Sequence, residues 1–308
     1  MWNRRRFVSY SVAASLAGRL SSLSAQPRET SAPTEPTRLI DSHVHVWKHD
    51  PAFPFAQGAT PPPEDASPET LLSLMQANGV SRTVIIQVSH YRFDNAYLAD
   101  VLKRYPRQFM GVCRVNPEDR AASDHLARLT EVQGFHGVRL SPSDTASGDW
   151  IRGPLMPPLW RRCAQLKIPM TILTPVTRLP DLIPLLDQNP DLTVVIDHMA
   201  DSPLDQPDKL KLLLALAVYP KVFVKISHMW SLSKQPYPYA DSAQQVKRLY
   251  ETFGATRLIW GTDWPVCLPY LTYAKAVALF RDHLDFLTSE DRTQILSKTV
   301  QRVWPFGL

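Results

Sequence analysis

Residues 38–46 read Arg38-Leu39-Ile40-Asp41-Ser42-His43-Val44-His45-Val46. The apolar start, the branched finish and the lack of glycine or proline predict a β-strand. Trp47-Lys48-His49 follows Val46. A glycine-rich first turn, the usual opening of a doubly wound dinucleotide-binding sheet, is not there. Residues two apart share one face of a strand, so His43 and His45 point the same way.

Working outward from that strand, strand and helix signals alternate almost to the end of the chain. Further strands are expected at Thr83–Val88, Phe109–Val115, Gly137–Leu140, Pro169–Leu173, Leu192–Ile196, Val222–Ile226 and Arg257–Trp260. Helices are expected over Pro68–Ala77, Asn95–Arg104, Leu155–Leu166, Leu210–Val218, Ala243–Phe253, Tyr273–Leu287 and Glu290–Val303. Pro117 and Glu118 suit the start of a helix after the third strand, and Ser289 suits the cap of the last one. Short continuous apolar runs such as Val194-Val195-Ile196 are the signature of parallel strands buried on both faces. Eight strand–helix units over about 260 residues predict an α/β chain folded as a TIM (β/α)8 barrel with an additional C-terminal helix.

The formal charge of +5 is concentrated at the N-terminus. Residues 1–25 hold Arg4, Arg5, Arg6 and Arg19 and no acid, so without them the charge falls to +1 (5 − 4). A nearly neutral remainder argues against a nucleic-acid partner. Arg4-Arg5-Arg6-Phe7-Val8 and the mildly apolar stretch after it resemble a twin-arginine export signal. The expectation is a signal peptide over residues 1–25, a flexible Pro/Ser/Thr-rich spacer over 26–37 and one domain over 38–308. Contact with the export machinery and a periplasmic or otherwise exported location follow from that reading. No later run reaches the length of a transmembrane span. Cys113, Cys163 and Cys267 suggest neither a disulfide framework nor a zinc knuckle.

In a barrel, the C-terminal strand ends gather at one mouth. His43 and His45 on strand one, His198 after strand six and Asp263 after strand eight would therefore converge, and they are the candidate catalytic residues. An ionised Asp263 can take a proton from an attacking water. His43, His45 and Asp263 could also hold zinc or another divalent metal, whose preferred donors are imidazole and carboxylate. Metal-dependent and metal-independent action stay equally open at this point. Arg139 and Arg114, at the ends of strands four and three, could bind a substrate carboxylate. Gln87, with His90 and Thr174 as weaker candidates, could add polar contacts; Trp264 and Trp230 could supply flat apolar walls. Asp41 is read as a support for strand one or the histidine pair, and Asp197 as orienting its local loop; either could act indirectly on an imidazole. The bland alternative for each arginine is a rim ion pair, and for each tryptophan a packed loop aromatic. The long connection Trp47–Ser67 and the aromatic stretch Ser227–Ala240 are placed over the mouth.

The sequence resembles the amidohydrolase superfamily, in its amidohydrolase-related branch with lactonases and decarboxylases. The matching stretches are residues 40–47 (Ile-Asp-Ser-His-Val-His-Val-Trp), 195–199 (Val-Ile-Asp-His-Met) and 257–265 (Arg-Leu-Ile-Trp-Gly-Thr-Asp-Trp-Pro), with Gly137-Val138-Arg139-Leu140 in support. The resemblance implies a barrel enzyme centred on His43, His45, His198 and Asp263. Metal-binding relatives add a histidine at strand five and a bridging lysine at strand four. Here Met170-Thr171-Ile172-Leu173-Thr174-Pro175 has no histidine, and Arg139 stands near the lysine's place. The implied activity is hydrolysis of a small lactone or related carboxylated cyclic ester by Asp263-assisted attack of water. The alternatives are a zinc-dependent decarboxylase and an exported small-molecule binding protein without turnover.

Overall fold

In the computed structural model, eight parallel strands follow one another in chain order around a single sheet. The structure describes residues 38–141 and 150–306. The expected signal peptide and spacer lie outside the described residues. The strands are β1 (Leu39–Val44), β2 (Val80–Ile86), β3 (Phe109–Arg114), β4 (Val138–Leu140), β5 (Met170–Ile172), β6 (Val194–Ile196), β7 (Val222–Lys225) and β8 (Leu258–Ile259). Chain-order adjacency of parallel strands demands a crossover between each pair, and helices supply it. They are α1 (Pro68–Ala77), α2 (Ala96–Arg104), α3 (Ala122–Glu131), α4 (Met156–Leu166), α5 (Ile183–Gln188), α6 (Pro207–Leu214), α7 (Met229–Leu232) and α8 (Ala240–Phe253). After β8 come α9 (Tyr273–Asp282), α10 (Ser289–Thr293) and α11 (Thr299–Val303).

The ring closes where β8 leaves the sheet. Ser42 N–H donates to the Trp260 carbonyl, Asp263 N–H to that of His43 at 2.8 Å, and His45 N–H to that of Trp264 at 2.7 Å. The same backbone bonds that close the barrel thus set the two histidines beside Asp263. Gly261 permits this closure, because a Cβ there would fall 2.6 Å from His43 Cβ. The structure requires glycine here for the close approach of two backbones.

Asp41 ties the same seam from inside. Its carboxylate accepts from the backbone N–H groups of His43 and Thr262, and from the hydroxyls of Thr262 and Tyr273. Burial raises the Asp41 pKa to about 6 despite those four donors. Two expected helix starts differ from the structure. Pro117 and Glu118 lie in a turn before α3, where Asn116 draws the chain into a hydrogen-bonded turn with Glu118 and Asp119. Thr288 and not Ser289 caps α10, through a capping box with Asp291. The final helix is continued through a π-helical turn at Gln294–Lys298. Helix α9 stops at Asp282, short of the expected Leu287. All three cysteines are buried free thiols. Among the described residues no helix is long and apolar enough to cross a membrane.

Candidate active site

Three successive strand ends deliver their polar side chains through left-handed backbone. His198 after β6 has φ 51°, His228 after β7 has φ 65°, and Asp263 after β8 has φ 58°. The left-handed turn after β6 continues through Met199, Ala200 and Asp201. Such conformations cost non-glycine residues about 1 kcal/mol or more each, and persist where surrounding contacts over-determine them. Here the contacts are mutual. The His198 and His228 rings stack at 3.6 Å with 9° between planes, and His228 Nε2 lies 2.5 Å from Asp263 Oδ2.

Asp263 meets both early histidines through its other oxygen. Oδ1 lies 3.5 Å from His43 Nε2 and 3.2 Å from His45 Nε2, and those two nitrogens are 3.3 Å apart. Oδ1 is buried, yet accepts no aligned hydrogen bond from the described residues. Burial pushes the Asp263 pKa up, but the His228 and His45 contacts and the nearby His43 outweigh it and hold the carboxyl well below its usual range. Burial also pushes His228 down, but Asp201 and Asp263 lift it to about 9. His228 is therefore the cation and Asp263 the anion of the pair at neutral pH.

Behind this trio is a buried charge cluster. Lys225, the last residue of β7, sits 2.9 Å from His43 Nδ1 and 2.9 Å from Asp197 Oδ1, with no solvent exposure. Arg139 Nε donates to Asp197 Oδ2 at 2.8 Å, and its Nη2 lies 3.4 Å from His198 Nε2. Burial raises the Asp197 pKa, but Lys225 and Arg139 override it and keep the carboxylate ionised. Burial and then the Lys225 charge drive His43 well below the ordinary imidazole value. Burial and the His228 cation do the same to His198, whose Nδ1 contacts Ser227 Oγ at 2.7 Å.

The structure thus brings His43, His45, His198 and Asp263 into one cluster, with Arg139 beside them. Arg114 is paired in register with Arg139 and shares its face of the sheet; its guanidinium lies 5.8 Å from the Phe93 ring. Gln87 is turned to the rim, where its amide donates to the Asp94 carbonyl. Trp264 is buried at the closing seam. Trp230 stacks on exposed Tyr270 at 4.4 Å and faces His228 at 4.6 Å, forming an apolar wall beside the site. Thr174 is buried after β5, and His90 packs edge-on against Trp47 at 5.4 Å.

Two members were not read as site residues from the sequence. Lys225 closes the apolar run Val222-Phe223-Val224, and a lysine there ordinarily reads as the strand meeting solvent. His228 was grouped with the aromatics of its loop. Its equivalence to His198, a histidine just past the end of a strand, was the available signal.

By distance, one ligand atom from each of His43, His198 and Asp263 lies within 4.8 Å of the others, so the cluster could hold a metal ion. The hydrogen bonds oppose this. An ammonium only donates, so Lys225 makes His43 Nδ1 the acceptor and leaves the ring proton on Nε2, the nitrogen that faces the cluster. Arg139 approaches His198 Nε2 in the same one-way sense. Of the clustered atoms, His45 Nε2 and Asp263 Oδ1 are left as donors to a metal. That set does not fit a centre with three protein ligands.

The amidohydrolase sequence profile matches residues 40–306. This chain belongs to the amidohydrolase family. Among its relatives is an L-fucono-1,5-lactonase of Burkholderia ambifaria, 31% identical over 240 residues that cover 75% of this chain and 81% of that protein. A 2-pyrone-4,6-dicarboxylate hydrolase of Comamonas testosteroni is 28% identical over 247 residues, covering 75% and 77%. The solved structure of a Burkholderia multivorans amidohydrolase with bound zinc superposes with a TM-score of 0.73 at 21% identity, covering 88% of this chain and all of that one. At that identity the likeness establishes the shared barrel. The amidohydrolase assignment agrees with the barrel fold.

Proposed function

We propose that this amidohydrolase opens a small lactone or related carboxylated cyclic ester, with Asp263 as the base that activates water. The observation that carries the reading is the division of labour within one buried carboxylate. Oδ2 is neutralised by the His228 cation, while Oδ1 faces the cluster with no aligned hydrogen-bond donor. An ionised oxygen so placed takes a proton from water as that water adds to the acyl carbon. The His43 Nε2–H and the nearby cations Arg139 and His228 support the oxyanion that develops on the carbonyl oxygen. Collapse of the adduct breaks the ring C–O bond, and the proton held by Asp263 passes to the departing ring oxygen. The product is the open hydroxy acid, and Asp263 returns to its ionised state.

The names of the lactonase and pyrone hydrolase relatives support a cyclic ester as substrate. Arg139 and Arg114 on one face favour a carboxylated one, although the Nε edge of Arg139 is engaged by Asp197. The Trp230–Tyr270 wall suits an organic ring. A zinc-dependent decarboxylase would require more than the one imidazole lone pair that the hydrogen bonds leave. An inactive binding protein would have no use for an ionised carboxylate kept unmasked inside the cluster.

The test is a panel of neutral and carboxylated five- and six-membered lactones, followed by proton release on ring opening, before and after treatment with a chelator. The reading predicts turnover of carboxylated members, unchanged by chelation. Binding without turnover across the panel, with or without added zinc, would overturn it.

A further inference from the structure

We propose that Lys225 is a positioning residue that locks His43 into the tautomer with its proton on Nε2, making the site a hydrogen-bond donor and suppressing metal binding. The proposal deepens the lactone reading and rests on it only for the consequence in turnover.

Two one-way groups fix the direction of the hydrogen-bond chain. At one end is the Lys225 ammonium, 2.9 Å from His43 Nδ1, which can donate and cannot accept. At the other is the Ile86 carbonyl, 2.8 Å from His45 Nδ1, which can accept and cannot donate. His43 Nδ1 must then be the lone pair and His45 Nδ1 must carry hydrogen. Between them, the His43 Nε2–H faces His45 Nε2 at 3.3 Å and Asp263 Oδ1 at 3.5 Å. The Lys225 contact alone fixes which His43 nitrogen carries the proton, and reversing it breaks that contact.

The rival arrangement puts the His43 proton on Nδ1 and gives it to Asp197 Oδ1, 3.5 Å away. That is the carboxylate–imidazole geometry that frees Nε2 for a metal. Lys225 occupies the approach, closer to both partners than they are to each other. Burial lowers the Lys225 pKa and the Arg139 charge adds to that, while the Asp197 carboxylate 2.9 Å away and Asp263 oppose the shift; His43 and the Trp304 ring at 5.5 Å complete the surroundings of the ammonium. Lys225 has no exposure, so the contact cannot be traded for water.

Removing the ammonium while keeping the alkyl stem, as in Lys225→Met, should let Nδ1 take the proton and Asp197 accept it. The test measures the tautomer and the metal, not the reaction. In the full chain labelled with 15N-histidine, long-range proton–nitrogen correlation should show His43 protonated at Nε2 in the natural protein and in Lys225→Arg, and at Nδ1 in Lys225→Met. Zinc alone, titrated against a chromophoric chelator, should bind Lys225→Met at least tenfold more tightly than the natural protein. Should Lys225→Met fail to fold, the natural protein's spectrum decides by itself. A His43 proton found on Nδ1 there, or equal zinc affinity in a folded Lys225→Met, overturns the proposal. Failure of every lactone to react, with the Nε2–H signal intact, overturns the lactone reading and leaves this one standing.

Discussion

His228 and Asp263 meet as an ion pair 2.5 Å long at the mouth of the barrel, between the third residue past β7 and the fourth past β8. Both hold left-handed backbone to do so. The pair keeps the carboxylate ionised where burial alone would protonate it, which is the condition a base must meet.

Removal of that cation should be felt in rate and in stability. His228→Ala is expected to lower kcat on the order of 100-fold, because a fixed charge beside the reacting centre is lost. The folded-state pKa of about 9 lies above the ordinary imidazole value of 6.5. The pair's contribution is therefore complete below pH 6.5 and is lost as pH rises through 9. At neutral pH it is on the order of 3 kcal/mol, with the two partners counted once. Urea unfolding of both proteins at pH 6 and pH 10 checks this. The gap between them should be wide at the lower pH and nearly closed at the higher.

Gly261→Ala would place a methyl group 2.6 Å from His43 Cβ, with backbone atoms of His43 close behind. Neither strand can retreat without opening the seam. A destabilisation of about 1–3 kcal/mol is expected from overpacking. The larger effect should be on kcat, by about 100-fold or more, because a shift of about 1 Å in a reacting group is enough for that. Thermal unfolding and steady-state kinetics on the same preparation separate the two.

Asp41 is expected to matter for architecture, not for protons. Asp41→Ala strands two backbone N–H groups and two hydroxyls at the closing seam, for a loss of about 3–5 kcal/mol. Asp41→Asn keeps an oxygen for the backbone donors, and its amide can donate to hydroxyls that rotate. Denaturant midpoints should rank natural protein, Asn and Ala in that order. Equal losses for Asn and Ala would show that the charge itself holds the seam.

The barrel was legible because its strands are buried on both faces and so appear as short apolar runs. The convergence of His43, His45, His198 and Asp263 was legible because strand ends share one rim. Lys225 was hidden because its partner, Asp197, follows another strand, and nothing local marks a lysine as buried. The Arg139 contact with Asp197 was hidden for the same reason, so an arginine available for a substrate could not be told from one already paired. The helix starts at α3 and α10 were misplaced by the polar residues immediately before the expected positions, Asn116 and Thr288, whose side chains bond the backbone first.

The central claim is that Asp263 Oδ1 takes the proton from water. It is tested most directly by Asp263→Asn, measured for kcat on the best lactone and, by calorimetry, for affinity toward the same compound. The account predicts a fall in kcat of at least about 1000-fold with binding within about threefold of the natural protein. A kcat within about tenfold, in a variant that still binds, would contradict it.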